Sequence, residues 1–152
     1  MILLPEDEDM MRLALAEAEA AALQGEVPVG AIVVHDDQIL ARAGNKTVTV
    51  SDPVGHAEIR ALRRAAGHVG NYRLPGATLY VTLEPCPMCA GALVHARISR
   101  LVFGATDPKG GGVVSRYAIG CDGRLNHCFT VTDGILADEC ASLLRNFFQK
   151  RR

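Results

Sequence analysis

Two short segments of this chain carry residue types and spacings that can do chemistry: His56-Ala57-Glu58 and, about thirty residues on, Pro85-Cys86-Pro87-Met88-Cys89. Together they offer an imidazole, two thiols and one spare carboxylate. Three nitrogen and sulfur ligands suit a catalytic zinc, whose fourth tetrahedral position stays open for water, whereas a structural zinc normally takes four protein ligands. Zinc of that kind lowers the pKa of ligated water from ~15.7 to about 7. Glu58, left unligated, is then placed to take a proton from the water and return it to a ring nitrogen and a departing amine. The chemistry predicted is hydrolytic deamination of an amidine-like carbon.

Each segment alone is a weak signal. A lone His-Ala-Glu is usually structural, and a lone Cys-x-x-Cys divides between zinc binding and thiol redox chemistry. The redox reading makes no use of His56 or Glu58. A non-catalytic zinc module needs a fourth ligand, for which His35, His68, His95 and His127 are the candidates. His95 lies six residues beyond Cys89, about 240° around a helix at ~100° per residue, and so points away from the metal. The spacing leaves open which imidazole nitrogen binds.

Positioning these groups takes two helices and a sheet. Cys86 and Cys89 are three apart, on one face of a helix over 87–96. Pro85 and Pro87 suit its start, and the helix N-terminus favours thiolates. The apolar strand over 77–83 brings that helix to the margin of a sheet, where crevices of α/β folds form. Asp52-Pro53 offers the start of the other helix, continued over 57–66 with Ile59 and Leu62 inward. Before them come an Ala-rich helix over 9–23 ended by Gly25, a β-branched strand over 29–35, an Asp36-Asp37 turn and a partner strand over 38–43. After them come a strand over 101–105, a Gly-rich loop over 107–112 and a short strand over 129–132. A closing helix covers about 137–150, with Leu143, Leu144, Phe147 and Phe148 on its apolar side. Strand–helix alternation of this kind predicts an α/β fold, a three-layer α/β/α sandwich on a mixed sheet.

Composition bounds the rest. At 152 residues, with 49% apolar and 22% charged, the chain suits one domain over 1–152 with a real core. No apolar run approaches the ~18 residues of a membrane helix, and the start lacks the basic flank of a signal peptide, so a cytoplasmic protein is expected. Cys121, Cys128 and Cys140 are expected to be reduced thiols. The net charge of −1 conceals an asymmetry: residues 1–20 hold six acids and only Arg12, leaving fifteen Lys and Arg against eleven acids in the remainder. A basic tail on a near-neutral chain can attract phosphates or simply be a solvated helix end.

With these residues in view, the chain resembles the bacterial tRNA-specific adenosine deaminases of the cytidine-deaminase-like superfamily. The likeness runs from about residue 10 to 151 and includes Gly25-Glu26-Val27-Pro28-Val29-Gly30-Ala31, Asn71-Tyr72-Arg73-Leu74, the stretch over 79–92, Leu125-Asn126-His127 and the stretch over 134–140. The resemblance implies a five-stranded mixed sheet, one Zn2+ per subunit, a homodimer with active sites near the interface, and conversion of the wobble adenosine in a tRNA anticodon stem-loop to inosine. It carries His56, Cys86 and Cys89 over as zinc ligands and Glu58 as the proton shuttle. Asn45 and Pro28 match the substrate pocket, Asp107 and Lys109 a loop touching anticodon nucleotides, and Arg145, Lys150, Arg151 and Arg152 a helix near the RNA backbone.

Three departures stand out. Val54-Gly55 replaces a common Thr-Ala and is expected to loosen the helix start; Gly44 stands where some relatives place an aromatic; Gly110-Gly111-Gly112 reads as an unusually flexible loop. The same zinc signature also serves deaminases of a free base or nucleoside such as guanine, cytosine or cytidine. A non-enzymatic zinc-stabilised RNA-binding or dimerisation module is the third reading.

Overall fold

The computed structural model describes residues 3–151. The first helix, α1 (Asp7–Leu23), presents Met11, Ala14, Leu15, Ala18 and Ala21 to the sheet, a stripe of small and unbranched side chains at helical spacing. Gly25, at φ +80°, turns the chain out of it. Then follow β1 (Gly30–His35) and β2 (Gln38–Gly44), joined at Asp36 and Asp37, both in the left-handed region as a two-residue hairpin requires. The order continues α2 (Ala57–Val69), β3 (Thr78–Leu83), α3 (Pro87–His95), β4 (Arg100–Ala105), β5 (Thr130–Thr132) and α4 (Ala137–Lys150).

The five strands form one mixed sheet in the order β2-β1-β3-β4-β5. β1 is antiparallel to both β2 and β3, and the β3–β4 and β4–β5 pairs are parallel. Strand alternation divides the core between the two faces. Ala31, Val33, Leu79, Val81, Leu101 and Phe103 pack on α2 and α3, while Ile32, Tyr80 and Val102 pack on α1 and α4. This is the three-layer sandwich expected. Because β1 runs against its neighbours, its first residues lie beside the last residues of β2, β3 and β4, and that single margin of the sheet gathers the chemistry.

Three expectations need correction. Asp52-Pro53 does not open α2; the helix begins at Ala57 with His56 as its N-cap, and Asp52 instead accepts from the Val54 amide within a turn. Ile59 is half-buried, and Leu62 is the apolar side chain that α2 buries. On α4 only Cys140 is buried, while Leu143, Leu144 and Phe147 are partly covered and Phe148 is exposed. Among the described residues no helix is long and apolar enough to cross a membrane.

One buried ion pair fastens α1 to the sheet. Asp7 is 2% exposed and accepts from Arg100 at 2.8 and 2.6 Å and from the Tyr80 hydroxyl at 2.8 Å. Burial alone would raise the Asp7 pKa; the hydrogen bonds from Arg100, Leu4 and Tyr80 outweigh it and hold the carboxyl below its usual range. Asp7→Ala removes the buried carboxylate that accepts from both Arg100 and Tyr80, and chemical denaturation is expected to show a loss of about 3 kcal/mol. A loss below ~1 kcal/mol contradicts this role.

Candidate active site

The two motif segments fold alike. His56 caps α2 and Cys86 caps α3, each with extended backbone (φ −68°, ψ 152° and φ −69°, ψ 170°). Pro87 takes the first helical position of α3, and Cys89 follows, fully buried. His56 Nδ1 lies 3.6 Å from Cys86 Sγ and 3.5 Å from Cys89 Sγ. A tetrahedral ion at ~2.0 Å from nitrogen and ~2.3 Å from sulfur separates such donors by about 3.5 Å, so the three fit one zinc-like ion, with Nδ1 as the imidazole donor. Among the described residues no other group of three or more His, Cys, Asp and Glu converges this way, and His35, His68, His95 and His127 stay apart from it.

Two helix N-termini therefore point at one spot, where their dipoles favour negative charge. A hydrogen bond from the Cys89 thiol, aided by the imidazole, pulls Cys86 down to about 4 and so leaves it a thiolate. The same bond, with burial, pushes Cys89 up. Glu58, 4% exposed on the first turn of α2, is pushed by burial up to about 7, against its own helix amide and the neighbouring imidazole.

A pocket of about 270 Å³ opens on this cluster. Val27, Val29 and Leu83 give it apolar walls; Asn45, His56, Glu58, Cys86 and Asp107 give it polar groups. Asn45 is buried, its backbone N–H donating to Val29 O at 2.9 Å, so the residue just before β1 fixes its backbone. Pro28 is buried between Val27 and Val29 and shapes the wall without lining it. Lys109 is exposed and contributes its backbone amide, which donates to the Asp107 carboxylate at 3.1 Å. Arg145 and Lys150 are exposed on α4, and Arg145 borders a neighbouring groove shared with Val27, Leu83, Asp107 and Phe148. Arg151 stacks on Phe147 at 4.4 Å and donates to Gly25 O at 2.8 Å, so it is held against its own chain. Arg152 lies outside the described residues.

Two residues that the motifs did not single out hold the pocket's walls. Glu26, wholly buried, accepts from the amides of Thr47, Val48 and Thr49 at 3.1, 3.1 and 2.8 Å and from the Thr49 hydroxyl at 2.7 Å. Burial would raise its pKa, but these bonds prevail and bring the carboxyl down to about 2. Glu84, 2% exposed, accepts from the amides of Asp107, Val113, Val114 and Ser115 and from the Ser115 hydroxyl. The local sequence, Glu26-Val27-Pro28 and Leu83-Glu84-Pro85, shows only an acid next to an apolar residue, and a charge buried there must be paired or hydrogen-bonded.

The glycine loop is packed, not loose. A Cβ on Gly111 would lie 2.3 Å from the Glu84 carboxyl, and one on Gly112 would lie 2.7 Å from the Pro87 nitrogen. Gly55 likewise tightens its region: a Cβ there would sit 2.4 Å from Lys46 O, and Gly55 O accepts from the Lys46 amide. The expected loosening at both places is thus reversed, because glycine here permits close approach.

Comparison with known proteins agrees with this geometry. The MafB19-like deaminase family matches residues 5–152. The chain is 54% identical over 147 residues to the tRNA-specific adenosine deaminase of Haemophilus influenzae, covering 96% of this chain and 85% of that protein. A solved structure from work on A-to-I editing by tRNA:A34 deaminases at the wobble position superposes with a TM-score of 0.87 at 47% identity, covering 90% of this chain and 99% of that one. The guanine deaminase from Nitrosomonas europaea superposes at 0.80 with 25% identity, covering 97% and 86%.

The two carboxylate anchors act on separate loops, and each hydrogen bond to a charged acceptor is worth ~1.5–3 kcal/mol. Glu84→Gln is expected to speed amide hydrogen exchange at Val113, Val114 and Ser115 at least about tenfold, leaving Thr47 to Thr49 protected; Glu26→Gln is expected to do the reverse. Equal loosening of both loops by either variant contradicts separate anchoring. Since the Glu26 carboxyl is lowered from 4.5 to about 2 on folding, its stabilisation is complete above the upper value and lost as pH falls towards the lower. Glu26→Gln should flatten that acid limb in pH-dependent denaturation.

Proposed function

The chain belongs to the MafB19-like deaminase family, with the tRNA-specific adenosine deaminases as relatives along nearly its whole length, and we propose from that premise that it hydrolyses the wobble adenosine of a tRNA anticodon stem-loop to inosine and ammonia. The observation that carries the reading is the convergence of His56 Nδ1 with two cysteine sulfurs at 3.5 and 3.6 Å beside a pocket that also holds Glu58 and Asn45. His56, Cys86 and Cys89 would hold one Zn2+ per subunit. When bound, zinc supplies the Lewis acidity that makes water nucleophilic at neutral pH.

The remaining work falls to the chain itself. Glu58 takes a proton from the attacking water and passes it to the ring nitrogen next to C6. It then carries a second proton from the new hydroxyl to the amino group. The C6–N bond breaks, ammonia leaves and Glu58 is ready for the next turnover. A buried carboxyl pushed towards neutrality suits both directions of transfer. Asn45 offers a donor and an acceptor to the base edge, and Val27, Val29 and Leu83 give the flipped base dry faces. Asp107 stands in the pocket wall, oriented by the Lys109 and Gly110 amides, within reach of flanking nucleotides. Arg145 and Lys150, exposed on α4, are the side chains this reading gives to the RNA backbone.

Guanine deaminases share this scaffold, so the fold does not choose the base; the 54% identity with a tRNA-specific enzyme favours RNA adenosine. The reading includes a cytoplasmic homodimer. Five unpaired cysteines accord with a reducing compartment, and exposed Tyr72, Val114 and Tyr117 are apolar groups that a second copy can cover.

The pure protein is expected to make inosine in an anticodon stem-loop and to leave free guanine and cytosine unchanged. Guanine turnover without RNA activity overturns the substrate assignment. Glu58→Ala is expected to cut the rate by ~10²–10⁴-fold while zinc content and thermal midpoint stay near wild type. Undiminished turnover in that variant removes Glu58 from the proton path.

A further inference from the structure

A second cleft, of about 210 Å³, lies at the open end of edge strand β2, between α1 and α2. Lys46, Arg60 and Arg64 line it, and among the described residues none of the three forms an ion pair with an acid. Its one acidic lining residue, Glu17, is 4.0 Å from the Arg42 Nε. Arg60 and Arg64 stand one turn apart on α2, and each donates from Nη1 to an edge-strand carbonyl, Gly44 O and Arg42 O. These bonds hold two guanidiniums side by side. Burial, followed by the proximity of Arg64, lowers the pKa of Arg60, while Asp52, Glu17 and Glu26 pull it the other way.

Covering the carbonyls of an exposed strand edge is one use for such arginines. It does not account for the whole cluster. Lys46 lines the same cleft while its side chain bonds no carbonyl or acid among the described residues, and each guanidinium spends one of its five N–H donors on the strand. Asn45 lines both this cleft and the reactive pocket, so the two lie next to each other. A nucleotide whose base entered the pocket would bring its phosphates to this side, where bidentate donors match phosphate oxygens.

We propose that the cleft of Lys46, Arg60 and Arg64 binds a backbone phosphodiester of the RNA next to the nucleotide being deaminated. It rests on the RNA-substrate reading above. The site is lined by residues of α1, of α2 and of the segment at the end of β2, with none from α4.

The test uses the full chain, an anticodon stem-loop and salt between about 50 and 200 mM. Arg64→Gln and Lys46→Gln are each expected to weaken binding several-fold and to lower the slope of log affinity against log salt by about one, with thermal midpoints within a degree or so of wild type. Arg64→Lys is expected to restore the slope. With a stem-loop carrying an uncharged methylphosphonate beside the target adenosine, wild type and Arg64→Gln should bind alike. Unchanged slopes in both glutamine variants overturn the phosphate site, and a lowered midpoint with an unchanged slope leaves only the strand-edge role. If wild type makes no inosine in the stem-loop, the substrate reading fails and takes this proposal with it. If it makes inosine and the variants bind as wild type does, the phosphate site alone fails.

Discussion

The whole site depends on holding one nitrogen and two sulfurs, from two different helices, at the mutual distances that a single tetrahedral ion imposes. Side chains on loops would not keep such spacing, because each rotatable residue costs entropy to fix. Here His56 and Cys86 occupy N-cap positions, where an extended residue is locked between a turn and the first helical bonds. The helices are in turn pressed on the sheet by Ala57, Ala61, Leu93 and Phe103, all fully buried. Small alanines let α2 lie close, and that closeness brings an imidazole within 3.6 Å of two sulfurs.

The pocket above this cluster is built by the opposite device, buried charge. Glu26 and Glu84 are removed from water, a placement that costs several kcal/mol per ion unless hydrogen bonds replace the hydration. Backbone amides of two loops supply those bonds, so each loop can fold down only onto its carboxylate. Gly111 and Gly112 then bring the second loop against Glu84 and the Cys86–Pro87 backbone. The wall that faces substrate is thereby tied to the segment that carries the sulfurs. Asp7, bonded to Arg100 and Tyr80, does the same for α1 at the far side of the sheet.

Much of this was legible in the sequence, and for identifiable reasons. His56, Glu58, Cys86 and Cys89 announce themselves because few spacings place those atom types together, and β-branched runs against an Ala-rich helix mark the layers. Element boundaries fell within a few residues where a turn has its own chemistry, as at Asp36-Asp37 and Gly25. Asp52-Pro53 misled because helix-start residues also make closed turns, and only the tertiary setting selects between them. Glu26 and Glu84 escaped notice because their partners are backbone amides more than twenty residues away, which no local pattern encodes. Gly110-Gly111-Gly112 read as slack for the same reason: freedom and close approach demand the same residue, and the difference lies in the neighbours.

The central claim is that this chain binds one divalent ion through an imidazole and two thiolates while a fourth position stays open. Zinc-edge X-ray absorption on the folded, metal-loaded protein addresses it most directly. The account requires two sulfurs at ~2.3 Å, one imidazole nitrogen at ~2.0–2.1 Å and one further light atom. Folded protein that takes up no zinc, or a shell with four protein ligands or a third sulfur, would contradict it.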